Sequence, residues 1–156
     1  MKTALVTGGC GFIGSNLTSA LVGLGWQVDV VDDLSNGHIA LLQDHNCRFL
    51  PNSSFIKSYE NQAGDKRPTD QVLVITDDFA STSMLEYINE KKYDVVFHQA
   101  AVPRVSFSVE HPSLTTDINV LKTVQLFEAC VGNVRRIVFA SSSSVYGINS
   151  NIPFSC

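Results

Sequence analysis

Glycines at positions 8, 11 and 14 stand between a short apolar run, Ala4 to Val6, and a segment with helical spacing. That order suits an anion. A buried strand aims the chain, and a loop free of side chains lets backbone N–H groups approach phosphate oxygens. A helix then opens with its positive end toward the charge. The ligand this implies is a nucleotide pyrophosphate. Asp32 follows at the end of the next apolar run, about twenty residues past the loop, where a carboxylate accepts hydrogen bonds from ribose hydroxyls. It would repel a 2′-phosphate, so NAD is favoured over NADP. Asp33 is either a second contact or a solvated neighbour. A glycine-rich turn without a ligand would not account for strand, helix and acid together.

Other groups capable of chemistry also follow apolar runs. Asp78, with Phe79, comes after Gln71 to Ile75. A carboxylate there could accept a hydrogen bond from an adenine amino group, although Asp77 competes for the role and an acid at a helix start is the generic alternative. His98 ends another run and reads more readily as a structural histidine than as a base. Ser141 to Ser144 end the last run. A hydroxyl in that place can bond to a substrate hydroxyl and relay a proton, whereas the plain alternative is a serine-rich turn. The G-x-S-x-G elbow of hydrolases is absent. Cysteines at 10, 47, 130 and 156 share no metal-ligand spacing, so no metal is expected and reduced thiols are favoured over disulfides.

These groups need elements to hold them. Strands are read at Lys2–Val6, Gln27–Val31, Gln71–Ile75, Tyr93–Phe97 and Val134–Ala140. Helices are read at 13–24, 81–91 and 114–131, with a short one at 38–43. Residues 51–70 carry Pro51, Gly64, Asp65 and Pro68 with little periodicity and read as a loop insertion. The tail from Ile148 to Cys156 is turn-like. Near-continuous apolar strands alternating with helices imply an α/β fold, a doubly wound parallel sheet of the Rossmann type with order 3-2-1-4-5.

At 156 residues the chain suits one domain, residues 1–156, rather than two. A net charge of −4 with scattered basic residues argues against nucleic acid as a partner. The apolar runs are too short for a membrane span and no secretory leader is visible, so a cytoplasmic protein is expected.

The motifs taken in order resemble a known family. Thr7-Gly8-Gly9-Cys10-Gly11-Phe12-Ile13-Gly14 resembles the T-G-x-x-G-F-I-G fingerprint of extended short-chain dehydrogenases/reductases. Asp32-Asp33-Leu34-Ser35-Asn36-Gly37 is similar to the D-[DN]-L-[ST]-x-G segment of nucleotide-sugar epimerases. His98-Gln99-Ala100-Ala101 resembles their H-x-A-A stretch, Asp117-Ile118-Asn119-Val120 their N-V helix, and Ser141 to Gly147 their S-S-x-x-V-Y-G segment. The chain is identified on these residues as a member of the NAD-dependent epimerase/dehydratase family.

The resemblance implies NAD as cofactor, with Gly8, Gly11, Phe12, Ile13 and Gly14 at the pyrophosphate. It places Asp32, Asp33, Asn36 and Gly37 at the adenosine half and Asp78 and Phe79 around adenine. Ala100 and Ala101 would line the cofactor, and Asn119 would lie near the nicotinamide. Ser142 matches the catalytic Ser/Thr, and Ser143 and Ser144 would face a nucleotide sugar, such as a UDP-hexose. Family dehydratases carry Asp-Glu where this chain has Ser143-Ser144, which favours 4-epimerisation: C4 oxidation, turnover of the 4-keto sugar and re-reduction. A dehydratase or reductase of the family, or a non-catalytic NAD-binding protein, is the alternative. The family's Tyr-x-x-x-Lys and carboxy-terminal sugar domain have no counterpart here, so this chain by itself is expected to be inactive. Helix 114–131 resembles one of the family's dimer helices, so a homodimer is expected of a full-length parent and is doubtful for this chain.

Overall fold

The structure, a computed structural model, describes residues 1–63, 67, 68, 70–91 and 93–147. Gly64, Asp65 and the tail from Ile148 to Cys156, read above as loop and turn, lie outside the described residues.

Among the described residues, six strands form one parallel sheet: β1 (Thr3–Thr7), β2 (Gln27–Asp32), β3 (Asn46–Leu50), β4 (Gln71–Thr76), β5 (Val95–His98) and β6 (Arg136–Phe139). Their order is β3-β4-β2-β1-β5-β6. The five strands read from the sequence have the arrangement expected of them, and β3 is an additional edge strand. The connecting helices are α1 (Phe12–Gly23), α2 (Ile56–Ala63), α3 (Thr82–Lys91), α4 (Val105–Glu110), α5 (Pro112–Thr116) and α6 (Lys122–Cys130). A widened turn with π-helical bonding, Asp117–Leu121, joins α5 to α6. The long helix read at 114–131 is thus continuous in direction but locally underwound.

Alternation along each strand sends neighbours to opposite faces. Ala4, Val6, Val28, Val30, Val72 and Val74 pack on one face with Leu21 of α1 and Leu42 of a short 3₁₀ turn. Leu5, Val31, Leu73, Ile75 and Val96 pack on the other with Met84 and Ile88 of α3 and Leu126 of α6. With both faces covered, the central strands are apolar at every position but Asp29 and the strand ends, which is why they read as continuous runs.

Residues 51–70 depart from the expected loop. Asn52 caps a 3₁₀ turn by accepting the Ser54 N–H, and α2 follows. Ile56 is buried, and Tyr59, one turn on, packs against the same core. Two apolar anchors three residues apart were enough to dock a helix too short and polar to announce itself by periodicity. β3 escaped notice for a similar reason. It is five residues long, only Leu50 is buried, and its stability comes from backbone pairing to β4.

Arg67, in the same segment, is held by a charge. Arg67 donates to Asp29 Oδ1 on β2 and to the carbonyls of Val28 (2.7 Å) and Gln71 (2.9 Å). Both side chains are buried, and Asp29 also accepts from the hydroxyls of Tyr93 and Tyr87. Removing one member of a buried pair leaves the other charge uncompensated. Arg67→Met should therefore cost about 3 kcal/mol of unfolding free energy in urea titrations. The double variant Arg67→Met/Asp29→Leu should recover part of that loss, and a smaller effect in the single variant than in the double would contradict the assignment.

Candidate functional site

From β1 the chain runs outward through β2 to the edge strand β3, comes back to β4 between them, and then crosses to β5 on the other side of β1. The connections after β1 and β5 therefore depart in opposite directions and leave a crevice at the strand ends. Registers of Thr7 with Val31 and with His98 bring those ends level. A cavity of ≈ 400 Å³ occupies the crevice.

Its floor is the glycine loop. Gly8 has φ +67°, and a Cβ there would stand 2.8 Å from the backbone nitrogen of Ala100. Only glycine lets the two loops close to this distance. At Gly14 a Cβ would lie 2.1 Å from the carbonyl oxygen of Gly8, so the first turn of α1 could not rest on the loop with any side chain there. The N-cap of α1 is Gly11, and no side chain caps the helix. Its first-turn amides thus face the cleft without a protein side chain to satisfy them, which suits an anion. Phe12 and Ile13 flank this turn with their side chains largely exposed.

Asp32 forms one wall. Its Oδ2 accepts the Cys10 N–H and its Oδ1 the Leu34 N–H, both at 2.9 Å. The carboxylate therefore ties the glycine loop to the turn after β2 while keeping further lone pairs for a ligand. Burial raises its pKa; the Leu34 and Cys10 amides oppose the rise, and neighbouring Asp33 adds to it. Asp33 lines the cleft too, its Oδ1 accepting from the amide and hydroxyl of Ser35. Asn36 and Gly37 complete this wall. Burial, with Asp32 and Cys47 nearby, pushes the Cys10 thiol up to about 12, so it is no nucleophile at neutral pH. Cys10, Cys47 and Cys130 are free thiols.

Phe79, which follows β4, and Ala100, Ala101, Val102, Pro103 and Ile118 supply the apolar lining. Val102, Pro103, Ile118, Ser35 and Gln99 were not singled out from the sequence; they are apolar or common loop residues with no chemical signature. Asp77 also lines the cleft, but its carboxylate is turned to Ser53 and Ser81. Burial pushes its pKa up, and the bonds from Ser53, Ser81 and the Asp78 amide outweigh that and hold it below the ordinary value.

Five of the residues named from the sequence do not line the cavity. Asp78 accepts from the Lys122 ammonium at 2.6 Å and from the Ala80 amide at 2.9 Å. Asn119 sits in the widened turn and holds both backbone groups of Val102, accepting its N–H at 2.8 Å and donating to its carbonyl at 3.0 Å. It acts on the cleft through the loop it clamps. Ser142, Ser143 and Ser144 are exposed on the turn after β6, where Ser142 Oγ accepts the Ser144 N–H at 3.2 Å and caps a 3₁₀ turn, Ser143–Tyr146. Among the described residues no cluster of His, Cys, Asp and Glu is arranged to hold a metal, and no helix is long and apolar enough to cross a membrane.

His98 lies beneath this surface. Its Nδ1 is 2.7 Å from Thr7 Oγ1 and its Nε2 is 2.9 Å from Thr123 Oγ1. Thr7 Oγ1 in turn accepts the Ala100 amide at 3.2 Å. The ring packs against Phe79, Phe127 and Phe139. It is the structural histidine expected, joining β1, β5 and α6 under the Ala100 loop.

Residues 4–156 match the model of the NAD dependent epimerase/dehydratase family. The chain is 35% identical to a UDP-glucose 4-epimerase of Cyamopsis tetragonoloba, over 97% of this chain and 39% of that protein. It is 31% identical to a bifunctional UDP-glucose and UDP-xylose 4-epimerase of Pisum sativum, over 96% and 39%. Among solved structures, the UDP-N-acetylglucosamine 4-epimerase of Methanobrevibacter ruminantium in complex with UDP-N-acetylmuramic acid superposes with a TM-score of 0.75 at 30% identity, covering 99% of this chain and 42% of that one. The UDP-glucose 4-epimerase of Brucella ovis in complex with NAD superposes at 0.73 and 28% identity, covering 98% and 39%. The chain thus spans about two fifths of the length of these relatives.

Burial lowers the His98 pKa from 6.5 to about 4. The unfolded chain then binds the extra proton between those values. The contribution is fully present above pH 6.5 and is lost as the pH falls toward 4, amounting to about 3 kcal/mol. Chemical denaturation between pH 7.5 and 4 should show this loss, and His98→Gln should flatten the slope while lowering stability at pH 7.5. An unchanged slope in the variant would remove His98 as its source.

Proposed function

This chain belongs to the NAD dependent epimerase/dehydratase family, and from that premise we propose that it is the NAD-binding domain of a nucleotide-sugar 4-epimerase, with a UDP-hexose as substrate. The observation that carries the reading is the glycine cradle closed by Asp32. The unsatisfied amides at the start of α1 would hold the pyrophosphate, with Gly8, Gly11, Phe12, Ile13 and Gly14 shaping its seat. Asp32, Asp33, Asn36 and Gly37 would receive the adenosine half, Phe79 would flank the adenine, and Ala100 and Ala101 would line the far end. When bound, NAD supplies a reversible hydride acceptor for a sugar carbon.

What this chain adds to the chemistry is placement. Asn119 holds the 99–103 loop by both backbone groups of Val102, which sets the wall beside the reacting end. Ser142 would bond to the reacting sugar hydroxyl and assist its proton transfer, with Ser143 and Ser144 facing the sugar. Ser142 Oγ donates to Ser144 Oγ at 3.2 Å on an open surface, and the cleft is not lined by any of the three serines. On this reading the 156-residue chain is an NAD binder without epimerase turnover. Val120, Leu121 and Val124, each about half exposed, offer a helix face on which a second subunit of the complete protein would pack.

Titration calorimetry of the chain with NAD should give saturable one-site binding, with NADP weaker. Gly14→Ala, which puts a methyl against the Gly8 carbonyl, and Asp32→Ala should each weaken NAD at least about tenfold. Absence of NAD binding would overturn the reading. Supplied with NAD and UDP-galactose or UDP-N-acetylglucosamine, the chain should form no epimer; clear turnover would overturn its assignment as a binding domain alone.

A further inference from the structure

Asn36 is the only asparagine in the sequence that is followed by a glycine. The pair lies in the irregular turn after β2, and both residues line the cleft. An asparagine carries a reactive partner in its own backbone. The nitrogen of the next residue closes a five-membered ring on the side-chain carbonyl carbon when no side chain crowds the approach and neither group is held elsewhere. Both conditions are met at this turn. Gly37 brings no Cβ, and its N–H has no hydrogen-bond acceptor among the described residues. The Asn36 side chain is exposed and makes no hydrogen bond among them. Other asparagines are occupied. Asn16 donates to the Phe12 carbonyl within α1, Asn52 caps its turn, and Asn119 holds both backbone groups of Val102.

We propose that Asn36 is a site of spontaneous deamidation, that its isoaspartate product closes the adenosine end of the cleft, and that a bound dinucleotide protects it. The proposal rests on the reading of the cleft as an NAD site. The Gly37 nitrogen forms a bond to Asn36 Cγ, and the bond from Cγ to Nδ2 breaks. Ammonia leaves, and the proton lost from Gly37 ends on it through solvent. Water then adds across one C–N bond of the succinimide, its hydroxyl going to carbon and its proton back to the Gly37 nitrogen. Opening at Cγ leaves aspartate. Opening at the main-chain carbonyl leaves isoaspartate, whose backbone runs through Cβ and Cγ and is one carbon longer. The turn has no room for that carbon. A Cβ at Gly37 would already stand 2.7 Å from Asp32 Oδ1 and 2.9 Å from Cys10 Cβ, and the next amide, His38, is tied to the Cys10 carbonyl at 2.8 Å. The lengthened turn must shift against Asp32, and the new carboxylate joins Asp32 and Asp33 at the same wall. A dinucleotide seated there covers Asn36 and holds the turn, so ring closure waits for it to leave.

The test is ageing of the full 156-residue chain in mildly alkaline buffer, with and without saturating NAD. Peptide mass spectrometry and enzymatic methylation of isoaspartate read the modification, and calorimetric titration reads NAD binding. Residue 36 should convert at least about tenfold faster than Asn16, Asn52 or Asn119, and NAD should slow it by about the same factor. NAD-binding sites should be lost in step with isoaspartate content. Asn36→Gln, whose side chain is one carbon too long for the five-membered ring, should keep its own starting affinity through the same treatment. Asn36→Ser takes its place if the glutamine variant does not fold by circular dichroism. An Asn36 that converts no faster than the other three overturns the proposal. So does conversion that NAD does not slow, conversion that leaves NAD binding unmoved, or a variant that loses its sites at the parent's rate. If the fresh chain binds no NAD, the reading of the cleft falls and this proposal with it; if it binds NAD and ageing fails in any of these ways, the proposal alone falls.

Discussion

The approach of the β1 loop to the β5 loop is the constraint on which the rest depends. Gly8 and Ala100 meet backbone to backbone at a distance no side chain at position 8 would allow. That contact sets how far apart the two loops leave the sheet, and therefore the width of the crevice between them. Beneath it, Thr7, His98 and Thr123 form a continuous buried chain of hydrogen bonds that supports the Ala100 amide from below. A neutral imidazole serves here because it can accept at one nitrogen and donate at the other without a charge to desolvate. The apolar rings around it lower its pKa and keep it neutral.

The walls of the cleft follow from polar groups that satisfy the backbone first. Asp32 holds two amides from different loops, and Asn119 holds both backbone groups of Val102. Each uses a short, stiff side chain to fix a loop that has no regular structure of its own. A loop fixed in this way is preorganised, so ligand binding spends less on ordering it. The same economy explains Asp77, which lines the cleft yet turns its carboxylate to Ser53 and Ser81 and so binds the capped turn before α2 to the end of β4.

The strands and the glycine loop were legible because their determinants are local. A strand buried on both faces must be apolar throughout, and a phosphate loop must be glycine at set spacings, so both write themselves into consecutive residues. β3 and α2 were not legible, since an edge strand held by backbone pairing and an eight-residue helix held by Ile56 and Tyr59 need few diagnostic residues. Of the cleft's polar side, Gly8, Gly11, Gly14, Asp32, Asp33, Asn36 and Gly37 were named from the sequence, and Ser35 was not. The apolar side was read only in part, because Val102, Pro103 and Ile118 belong to the site by position and not by chemistry.

From its residues alone the chain determined the class of fold, the strand that aims the glycine loop, and the acid that stands one strand over. Those features depend on periodicity and on short-range spacing, which the order of residues contains. Tertiary structure alone decided which acids face the cleft. Asp77 and Asp78 are adjacent in a turn, and their roles are separated by partners 24 and 44 residues away, Ser53 and Lys122. It likewise decided that Arg67, in a segment without periodicity, neutralises Asp29 in the core. A carboxylate's partner is set by which chain segments the sheet brings within hydrogen-bond distance, and no local pattern carries that.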